Sequence, residues 1–455
     1  MKNQPVLLSL ISLGCAKNLV DTEVMAGTLA QAGVALTADA SQAQVLLINT
    51  CAFVADARSE AVVQIEQSMA WKKQQPGRRV IVAGCLPQRE LPRLREAFTG
   101  VDLFIGLDDV PRIAALLQNL LAGPKTKKDR HPGAGAEGFK EATYLYDETA
   151  PRLLLTPASH AYIKIAEGCD HRCKFCAIPG IRGRQRSRSI PSVAAECRQL
   201  LDQGVHEINL IAQDTTSYGR DRKDGTTLAG LLRECDELEG DFWIRVLYMH
   251  PKHVTDELLD VMKKARHVVP YIDIPLQHIS DGQLHAMARG MGSTETRALM
   301  TKLRIALPGV TLRTTLLVGY PGETEAEFEE LLAYVKEFRF DRLGVFTYSP
   351  EEGTPAAEIT EGLGPIETAE PRRDMIMRAQ QAIALEKNKA FVGKTLEVIL
   401  DSALPGGKLA ARTKGDAPEV DNVVIVKGPK KLLDEGIVQV RITGATHYEL
   451  TAVPA

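Results

Sequence analysis

Short, nearly continuous apolar runs alternate with helical patterns along the first 121 residues. Such runs are typical of parallel strands buried on both faces, and they lie at 6–13, 45–50, 80–83 and 101–105. Residues with a helical period follow at 21–32, 57–74, 88–98 and 110–121. Because strands alternate with helices, the pattern predicts βαβ units and an N-terminal doubly wound parallel sheet of the α/β class.

A second alternation begins at residue 161 and predicts a barrel. Its candidate strands lie at 161–166, 205–211, 242–248, 270–276, 311–318 and 342–348. Helical patterns separate them at 192–203, 227–238, 254–265, 294–306 and 324–338. These repeats predict a central (β/α)6 partial TIM barrel, with its chemistry at the carboxyl ends of the strands.

The other segments predict a linker and a third domain. Residues 122–154 are rich in Gly, Pro and Lys and lack an apolar period, which is typical of a linker. A long polar helix near 367–391 precedes β-rich sequence that predicts a small antiparallel β-barrel. The expected boundaries are 5–121 for the N-terminal domain, 122–154 for the linker, 155–387 for the central barrel and 388–455 for the C-terminal domain.

Composition and net charge exclude several classes of function. The chain has 455 residues and a formal net charge of −3, so no global positive field draws it to nucleic acid or anionic lipid. No run of about 18 apolar residues occurs, so we expect neither a transmembrane helix nor a membrane partner. Eight cysteines are far too few for a disulfide scaffold of this length.

Three of the cysteines recur at equivalent places in the N-terminal pattern. Cys15, Cys51 and Cys85 each follow the carboxyl end of a predicted strand, in Gly-Cys, Thr-Cys and Gly-Cys pairs. Ligands of open α/β sheets bind at this edge, so the three thiols can converge there. The alternative is three unrelated buried cysteines, which are common in protein cores.

A second trio directly follows the first predicted barrel strand. Cys169, Cys173 and Cys176 have the spacing C-x3-C-x2-C, and three thiolates on one loop can hold three irons of a 4Fe-4S cluster. The open fourth iron is then free for a cofactor or substrate. A zinc site with His171 as fourth ligand is the alternative, but a second CxxC pair, usual in structural zinc sites, is absent from the sequence.

These motifs carry a family resemblance. The C-x3-C-x-aromatic-C loop that opens a six-fold barrel resembles the radical S-adenosylmethionine superfamily, and the preceding three-cysteine domain resembles its methylthiotransferases. The C-terminal β-domain is similar to their TRAM module. The segments SLGCAKNLVDTE, NTCAFV, EGCDHRCKFCAIPGIRG and GYPGETEAEF resemble the branch that modifies an aspartate of a small-subunit ribosomal protein (the RimO type). The tRNA-adenosine branch (MiaB-like) typically has Gln-Met-Asn where this chain has Ala16-Lys17-Asn18.

The resemblance implies an activity, its cofactors and its partners. It implies methylthiolation of an aspartate β-carbon in small-subunit ribosomal protein twelve, with two 4Fe-4S clusters and S-adenosylmethionine as cosubstrate. Cys169, Cys173 and Cys176 would ligate the radical-generating cluster, and Cys15, Cys51 and Cys85 the cluster that holds the transferred sulfur. The implied partners are the ribosomal protein or the assembled ribosome, an electron donor and a sulfur donor, all in the cytoplasm.

Four further residues are candidates for S-adenosylmethionine binding. By resemblance, Gln213 lies where the superfamily contacts the methionine moiety and Gly319 where it packs near adenine; both segments could equally be tight βα turns. Phe175 is the aromatic residue within the cysteine loop. Arg313 interrupts an apolar strand pattern, so it either has a structural partner or faces a carboxylate ligand.

Other charged and sulfur-containing residues leave alternatives open. Arg182, Arg184, Arg186 and Arg188 form either a solvated face or a phosphate- or carboxylate-binding set beside the site. Cys197 and Cys235 lie in helical patterns and are expected to be ordinary thiols.

The charge of the C-terminal domain bears on its partner. Residues 389–455 contain nine Lys/Arg and eight Asp/Glu, so binding of free RNA is not expected. The acids of the stretch Gly415–Asp421 are expected either to contact a basic protein or to decorate a hairpin.

Two other functions compete with the aspartate reaction: a tRNA-adenosine methylthiotransferase, and a non-catalytic iron–sulfur redox protein. Simple electron transfer normally uses four protein thiolates per cluster, which disfavours the second.

Overall fold

The N-terminal sheet is parallel and doubly wound, as predicted. The computed structural model describes residues 5–123, 134–135, 138–359 and 366–455. The elements are β1 (Leu7–Ser12), α1 (Ala16–Gln31), β2 (Ala35–Leu36), β3 (Val45–Thr50), α2 (Ala55–Lys73), β4 (Arg79–Gly84), α3 (Cys85–Ala97), β5 (Leu103–Ile105), a 3-10 helix (Leu107–Arg112) and α4 (Ile113–Ala122). The five strands lie in the order β2-β1-β3-β4-β5, so β1, β3 and β4 are neighbours at its centre.

Helix α1 begins earlier than the sequence predicts. It starts at Ala16 rather than at residue 21, and its first turns bury Lys17 and Asn18. Polar residues on a buried face hide the amphipathic period from which the start of a helix is read.

The segment expected to be a linker is partly packed against both neighbouring domains. Residues 124–133 and 136–137 lie outside the described residues, and β6 (Ala134–Gly135) pairs with β7 (Gly138–Phe139). Beyond them Tyr146 is 3% exposed, and the backbone N–H groups of Thr143 and Tyr144 donate to Asp108. Residues 138–154 therefore behave as part of the folded body, because their tyrosines have apolar surface to bury.

The central strands form the predicted partial barrel. Its elements are β8 (His160–Lys164), β9 (Ala166–Glu167), α5 (Ile178–Arg182), β10 (Arg186–Ser187), α6 (Ile190–Asp202), β11 (Glu207–Ile211), α7 (Leu228–Asp236), β12 (Trp243–Val246), α8 (Asp256–Lys264), β13 (Tyr271–Asp273), α9 (Asp281–Ala286), α10 (Ser293–Ala306), β14 (Thr311–Val318), α11 (Glu325–Phe338), β15 (Arg342–Thr347) and α12 (Ile366–Lys389). Parallel β8-β11-β12 and β13-β14-β15 meet at an Ile244–Val268 bridge. The short helices α5 and α9 are absent from the sequence-based prediction.

The C-terminal domain is a closed five-stranded barrel. Its strands are β16 (Thr395–Leu404), β17 (Lys408–Thr413), β18 (Val423–Lys427), β19 (Ile437–Ala445) and β20 (Glu449–Pro454), in the order β16-β17-β18-β20-β19. All pairings are antiparallel except β18 with β20.

This small barrel covers the amino ends of the central strands. Glu207, the first residue of β11, pairs with Arg412 at 2.5 Å, and Arg342, the first residue of β15, pairs with Asp416 at 2.5 Å. Tyr271 at the start of β13 donates a hydrogen bond to Asp421.

The same contacts correct the expectation of a docking surface for a basic protein. The side chains of Asp416 and Asp421 are 0% and 2% exposed, because barrel arginines already hold them. Of the three acids on that turn, Glu419 alone is exposed. No described helix is long and apolar enough to cross a membrane.

Candidate functional site

The structure brings the first cysteine trio together at one edge of the N-terminal sheet. Cys51 directly follows β3 and Cys85 directly follows β4, while the N–H of Leu13 after β1 donates to Asn49 of β3. Gly14 has φ +90°, and a Cβ built on it would lie 2.5 Å from the Cβ of Cys51. Glycine at this position therefore allows the Cys15 loop to approach Cys51.

The three thiols of this trio have different electrostatic environments. Cys15 precedes the first turn of α1 and is accessible to solvent, although the protein around its thiol reduces the hydration of the thiolate. Loss of hydration opposes its ionisation, but Lys17, Arg182 and backbone N–H groups outweigh this and lower its pKa. Burial raises the pKa of Cys51, and raises that of Cys85 to about 12.

The second trio lies on the loop after β9. The N–H of His171 donates to Cys169 Sγ at 3.4 Å, and Arg289 Nη1 donates to Cys173 Sγ at 3.3 Å. Burial raises the pKa of Cys169 to about 12 and that of Cys176 to about 11. A positive ligand is therefore needed to stabilise the thiolates, as metal coordination does.

One buried arginine connects the two trios. The Arg182 side chain is 2% exposed; its Nη2 lies 3.4 Å from Cys85 Sγ and its Nη1 donates to Glu167 Oε2 at 2.9 Å. Glu167 is two residues before Cys169. The guanidinium thus contacts a cysteine of the first trio and the loop that carries the second.

A network of buried charges surrounds this link. Lys164 donates to Glu167 at 2.8 Å and also pairs with Asp21 of α1. Arg182 reaches Asp21 at 3.1 Å and donates to Asn18 Oδ1 at 2.5 Å. Burial alone would raise the pKa of Glu167. Arg182 and Lys164 lower this pKa by more than burial raises it, so the carboxylate is ionised.

His171 has partners other than the cysteines. Its Nε2 lies 2.7 Å from Asp214 Oδ2, and its ring stacks on that of His250 with centroids 3.9 Å apart and planes 13° apart. The nitrogens of His171, His250 and His253 lie within 4.8 Å of one another, but the lone pairs of nearly parallel stacked rings do not point to one centre. The arrangement favours a hydrogen-bonded histidine beside the cysteine loop over a zinc ligand.

Three of the candidate cofactor residues lie in polar or close-packed surroundings. Gln213 Nε2 donates to Glu167 Oε1 at 2.5 Å, and its own Oε1 is buried without a partner among the described residues. Phe175 packs beside Met287 and Tyr320. Gly319 has φ +75°, and a Cβ there would lie 2.6 Å from Ala369 of α12. Their cofactor contacts remain predictions.

The fourth candidate, Arg313, already has two carboxylate partners. It lies 3.1 Å from Asp273 of β13 and 3.3 Å from Asp421 of the C-terminal domain. These carboxylates raise its pKa against the effect of burial. These contacts agree with the alternative in which Arg313 has structural partners. Its contact with the cofactor remains a prediction.

The arginine run does not form one functional face. Arg188 is buried with Glu196, whereas the Arg184 side chain is 80% exposed beside Asp170. Cys197 and Cys235 lie in the barrel core with their sulfurs 3.8 Å apart.

Sequence reasoning missed several residues around the trios. Asn18, Asp21 and Glu167 all contact Arg182, and Glu167 could have been noticed because it precedes the second trio in EGC. Asn18 and Asp21 gave no such signal, since polar residues at the start of a helix usually face solvent.

Three sequence families match successive parts of the chain. Residues 8–106 match the family described as Uncharacterized protein family UPF0004, residues 163–335 the Radical SAM superfamily and residues 392–454 the TRAM domain. Among solved structures, the radical S-adenosylmethionine methyltransferase TsrM from Kitasatospora setae superimposes with a TM-score of 0.58 at 16% identity, over 78% of this chain and 74% of that one. This similarity supports the fold alone.

Curated relatives match over nearly the full length. The ribosomal protein uS12 methylthiotransferase RimO of Opitutus terrae is 44% identical over 99% of this chain and 97% of that protein. RimO of Heliobacterium modesticaldum is also 44% identical, over 97% of this chain and 94% of the relative. Radical S-adenosylmethionine chemistry with iron–sulfur and S-adenosylmethionine cofactors is the chemistry of this group. The chain belongs to the RimO family of ribosomal protein uS12 methylthiotransferases.

Proposed function

We propose that this enzyme replaces a β-hydrogen of an aspartate in ribosomal protein uS12 with a methylthio group. The observation that carries the proposal is the match to RimO proteins over both cysteine-bearing domains and the C-terminal barrel. The tRNA-adenosine alternative is not favoured by these relatives. A non-catalytic redox role is disfavoured because each trio supplies three thiols rather than four.

We further propose two 4Fe-4S clusters, one for each trio. Cys169, Cys173 and Cys176 would hold one, and Cys15, Cys51 and Cys85 the other. The donor chemistry fits, since soft thiolates are the usual ligands of iron–sulfur clusters and three of them leave one iron open. When bound, the clusters and S-adenosylmethionine supply a reducing electron, a carbon radical and the methylthio sulfur.

The protein's own groups orient and stabilise the ligands. Arg182 contacts Cys85 Sγ and Arg289 contacts Cys173 Sγ, so each trio has a cationic hydrogen-bond donor on one sulfur. Such donors favour the ionised ligand and influence the reduction potential of a bound cluster. Gln213, Phe175 and Gly319 are the proposed neighbours of S-adenosylmethionine, with Arg313 as a fourth candidate.

The proposal also includes the organisation and the partners of the enzyme. The domains are 5–121, 155–387 and 388–455, with 122–154 between the first two. An electron donor and a sulfur donor are required by the chemistry. The substrate is uS12, free or in the ribosome, and the place of action is the cytoplasm, where ribosomes are assembled.

A competition experiment tests the substrate. The reconstituted enzyme is reduced anaerobically with S-adenosylmethionine and sulfide, and is offered uS12 and tRNA together. Mass spectrometry should find a methylthio group on an aspartate of uS12 and none on adenosine. Methylthiolated adenosine would assign the enzyme to the tRNA branch, and a lack of both products with intact clusters would contradict the proposed activity.

Cysteine variants test the number of clusters. Replacing Cys169, Cys173 and Cys176 together by alanine should remove about half of the bound iron and abolish cleavage of S-adenosylmethionine. Replacing Cys15, Cys51 and Cys85 should also remove about half of the iron. Full iron content in either triple variant would exclude two separate clusters.

A further inference from the structure

Lys17 is a buried lysine without a carboxylate partner. The residue is 7% exposed, and among the described residues its ammonium has neither an ion pair nor a hydrogen bond; it lies over the ring of Tyr248, with Nζ 3.1 Å from the centroid. Lys164, the other buried lysine nearby, pairs with both Asp21 and Glu167. A buried cation normally has an anionic partner. Lys164 has two carboxylate partners, whereas Lys17 has none among the described residues.

The position of Lys17 is electrostatically unfavourable. It is the second residue of α1, where the helix dipole is positive and disfavours another cation. The nearby Arg182 repels it further. The closest acids are engaged elsewhere: Glu167 with Lys164 and Arg182, and Asp273 with Arg313. The strongest favourable charge on Lys17 is that of Cys15, and no carboxylate among the described residues is committed to it.

Tyr248 is held in a strained conformation that supports the lysine. Its φ is +60°, which is unusual for a bulky residue and is found most often at functional sites. Its N–H donates to Asp273 at 3.0 Å and its carbonyl accepts from Thr215 at 3.0 Å. A cation–π contact fixes the ammonium but uses the face of a ring, so N–H donors of Lys17 stay available for an anion.

The position of Cys15 next to Lys17 indicates which ligand Lys17 can bind. It is two residues before Lys17 and is the accessible cysteine of its trio. An aspartate carboxylate is bonded directly to the β-carbon of the same side chain. A residue that binds this carboxylate near Cys15 therefore also brings the β-carbon to the trio.

We propose that Lys17, supported by Tyr248, binds the carboxylate of the substrate aspartate beside the Cys15, Cys51 and Cys85 site. The inference rests on the proposed function, which supplies the aspartate. In this inference the enzyme recognises its substrate through an ion pair. An aspartate carboxylate supplies an anion for the Lys17 ammonium, whereas an asparagine or a nucleobase does not. The competing role is that Lys17 only offsets the charge of the thiolates.

A double-mutant cycle separates the two roles. Binding of uS12 to the anaerobically reconstituted full-length enzyme is measured by titration, with either the modified aspartate, located by mass spectrometry, or asparagine at that position. The wild-type enzyme should bind the aspartate form about tenfold more tightly or better, the strength expected of a desolvated charge pair. Lys17→Met should abolish this preference, and Lys17→Arg should retain part of it. The exposed Lys263 supplies the matched control, since Lys263→Met should leave the preference at the wild-type value.

The outcomes distinguish this inference from the proposed function. Equal loss of binding for both forms of uS12 in Lys17→Met would assign Lys17 to the thiolates and overturn the inference. The same holds if Lys17→Met keeps the preference, or if the wild-type enzyme modifies uS12 but does not discriminate in binding. A wild-type enzyme without the preference overturns the inference even if Lys17→Met loses its iron, and Lys17→Gln provides a second neutral variant to which the preference can be assigned. A wild-type enzyme that neither binds nor modifies uS12 would instead contradict the proposed function.

Discussion

At the scale of single residues, Arg182 and Arg184 have different roles although they are two positions apart. Arg182 is buried among Asp21, Glu167 and Cys85, whereas Arg184 makes an exposed pair with Asp170. Their difference arises because α5 ends at Arg182 and turns that side chain toward α1. The sequence pattern shows four similar arginines; the docking of α1 encloses Arg182, whereas Arg188 is buried against Glu196 of α6.

We predict that Arg182→Met lowers the free energy of unfolding by about 3–5 kcal/mol, because buried carboxylates lose their partner. Arg182→Lys should recover part of the loss, since it keeps the charge without the planar fork. Arg184→Met, the matched control, should leave the midpoint of denaturant unfolding unchanged. Equal midpoints for Arg182→Met and Arg184→Met would contradict the buried network.

At the scale of elements, each cysteine of the first trio is placed by the end of a parallel strand. The sequence suffices to predict this, because the strand period and the length of a βα unit are local properties. The contacts of Lys17, Asn18 and Asp21 could not be predicted in the same way. Asn18 donates to the carbonyls of Leu13 and Thr50 within its own domain. All three residues also contact the central domain, at Tyr248, Arg182 and Lys164. Contacts between segments far apart in the sequence leave no periodic pattern from which they could be predicted.

We predict that Gly14→Ala disrupts the first trio. The left-handed φ disfavours a Cβ, and the new atom would displace Cys51; about half of the iron should be lost on reconstitution. Gly77 has a similar φ of +91°, but a Cβ built on it would meet nothing within 4 Å, so Gly77→Ala has the same backbone strain without the clash. Iron analysis of both variants checks this, and a fully loaded Gly14→Ala protein would show that the close approach is unimportant.

At the scale of the whole molecule, buried ion pairs attach the C-terminal barrel to the central one. Glu207 is fully buried between Arg245 and Arg412, at 2.7 Å and 2.5 Å. Burial alone would raise its pKa, but Arg412 and Arg245 outweigh it and lower the pKa to about 2. The carboxylate therefore contributes to the stability of the docked state as long as it is ionised.

We predict that this contribution is lost in acid. The pKa of Glu207 is lower in the folded than in the unfolded protein, so the stabilisation is complete above about pH 4.5 and disappears as the pH falls toward about 2, a loss of about 3 kcal/mol. Glu207→Gln should lower stability at pH 7 and weaken the pH dependence in this window, measured by denaturant unfolding of the metal-free protein. Glu257→Gln, which removes an exposed pair with Arg233, is the control. An unaltered pH profile in Glu207→Gln would show that another group controls acid unfolding.

The charged face of α1 also constrains how the protein can evolve. Asp21 faces Lys164 and Arg182 across a domain boundary, and Glu23 faces Arg152 of the segment between the two domains at 2.6 Å. Loss of one partner leaves a desolvated charge, so a single substitution is penalised until a second one compensates. Positions 21, 164 and 182 should consequently covary among homologues, as should 23 and 152, and recombination that exchanges the N-terminal domain between distant lineages should fail unless these partners are exchanged with it.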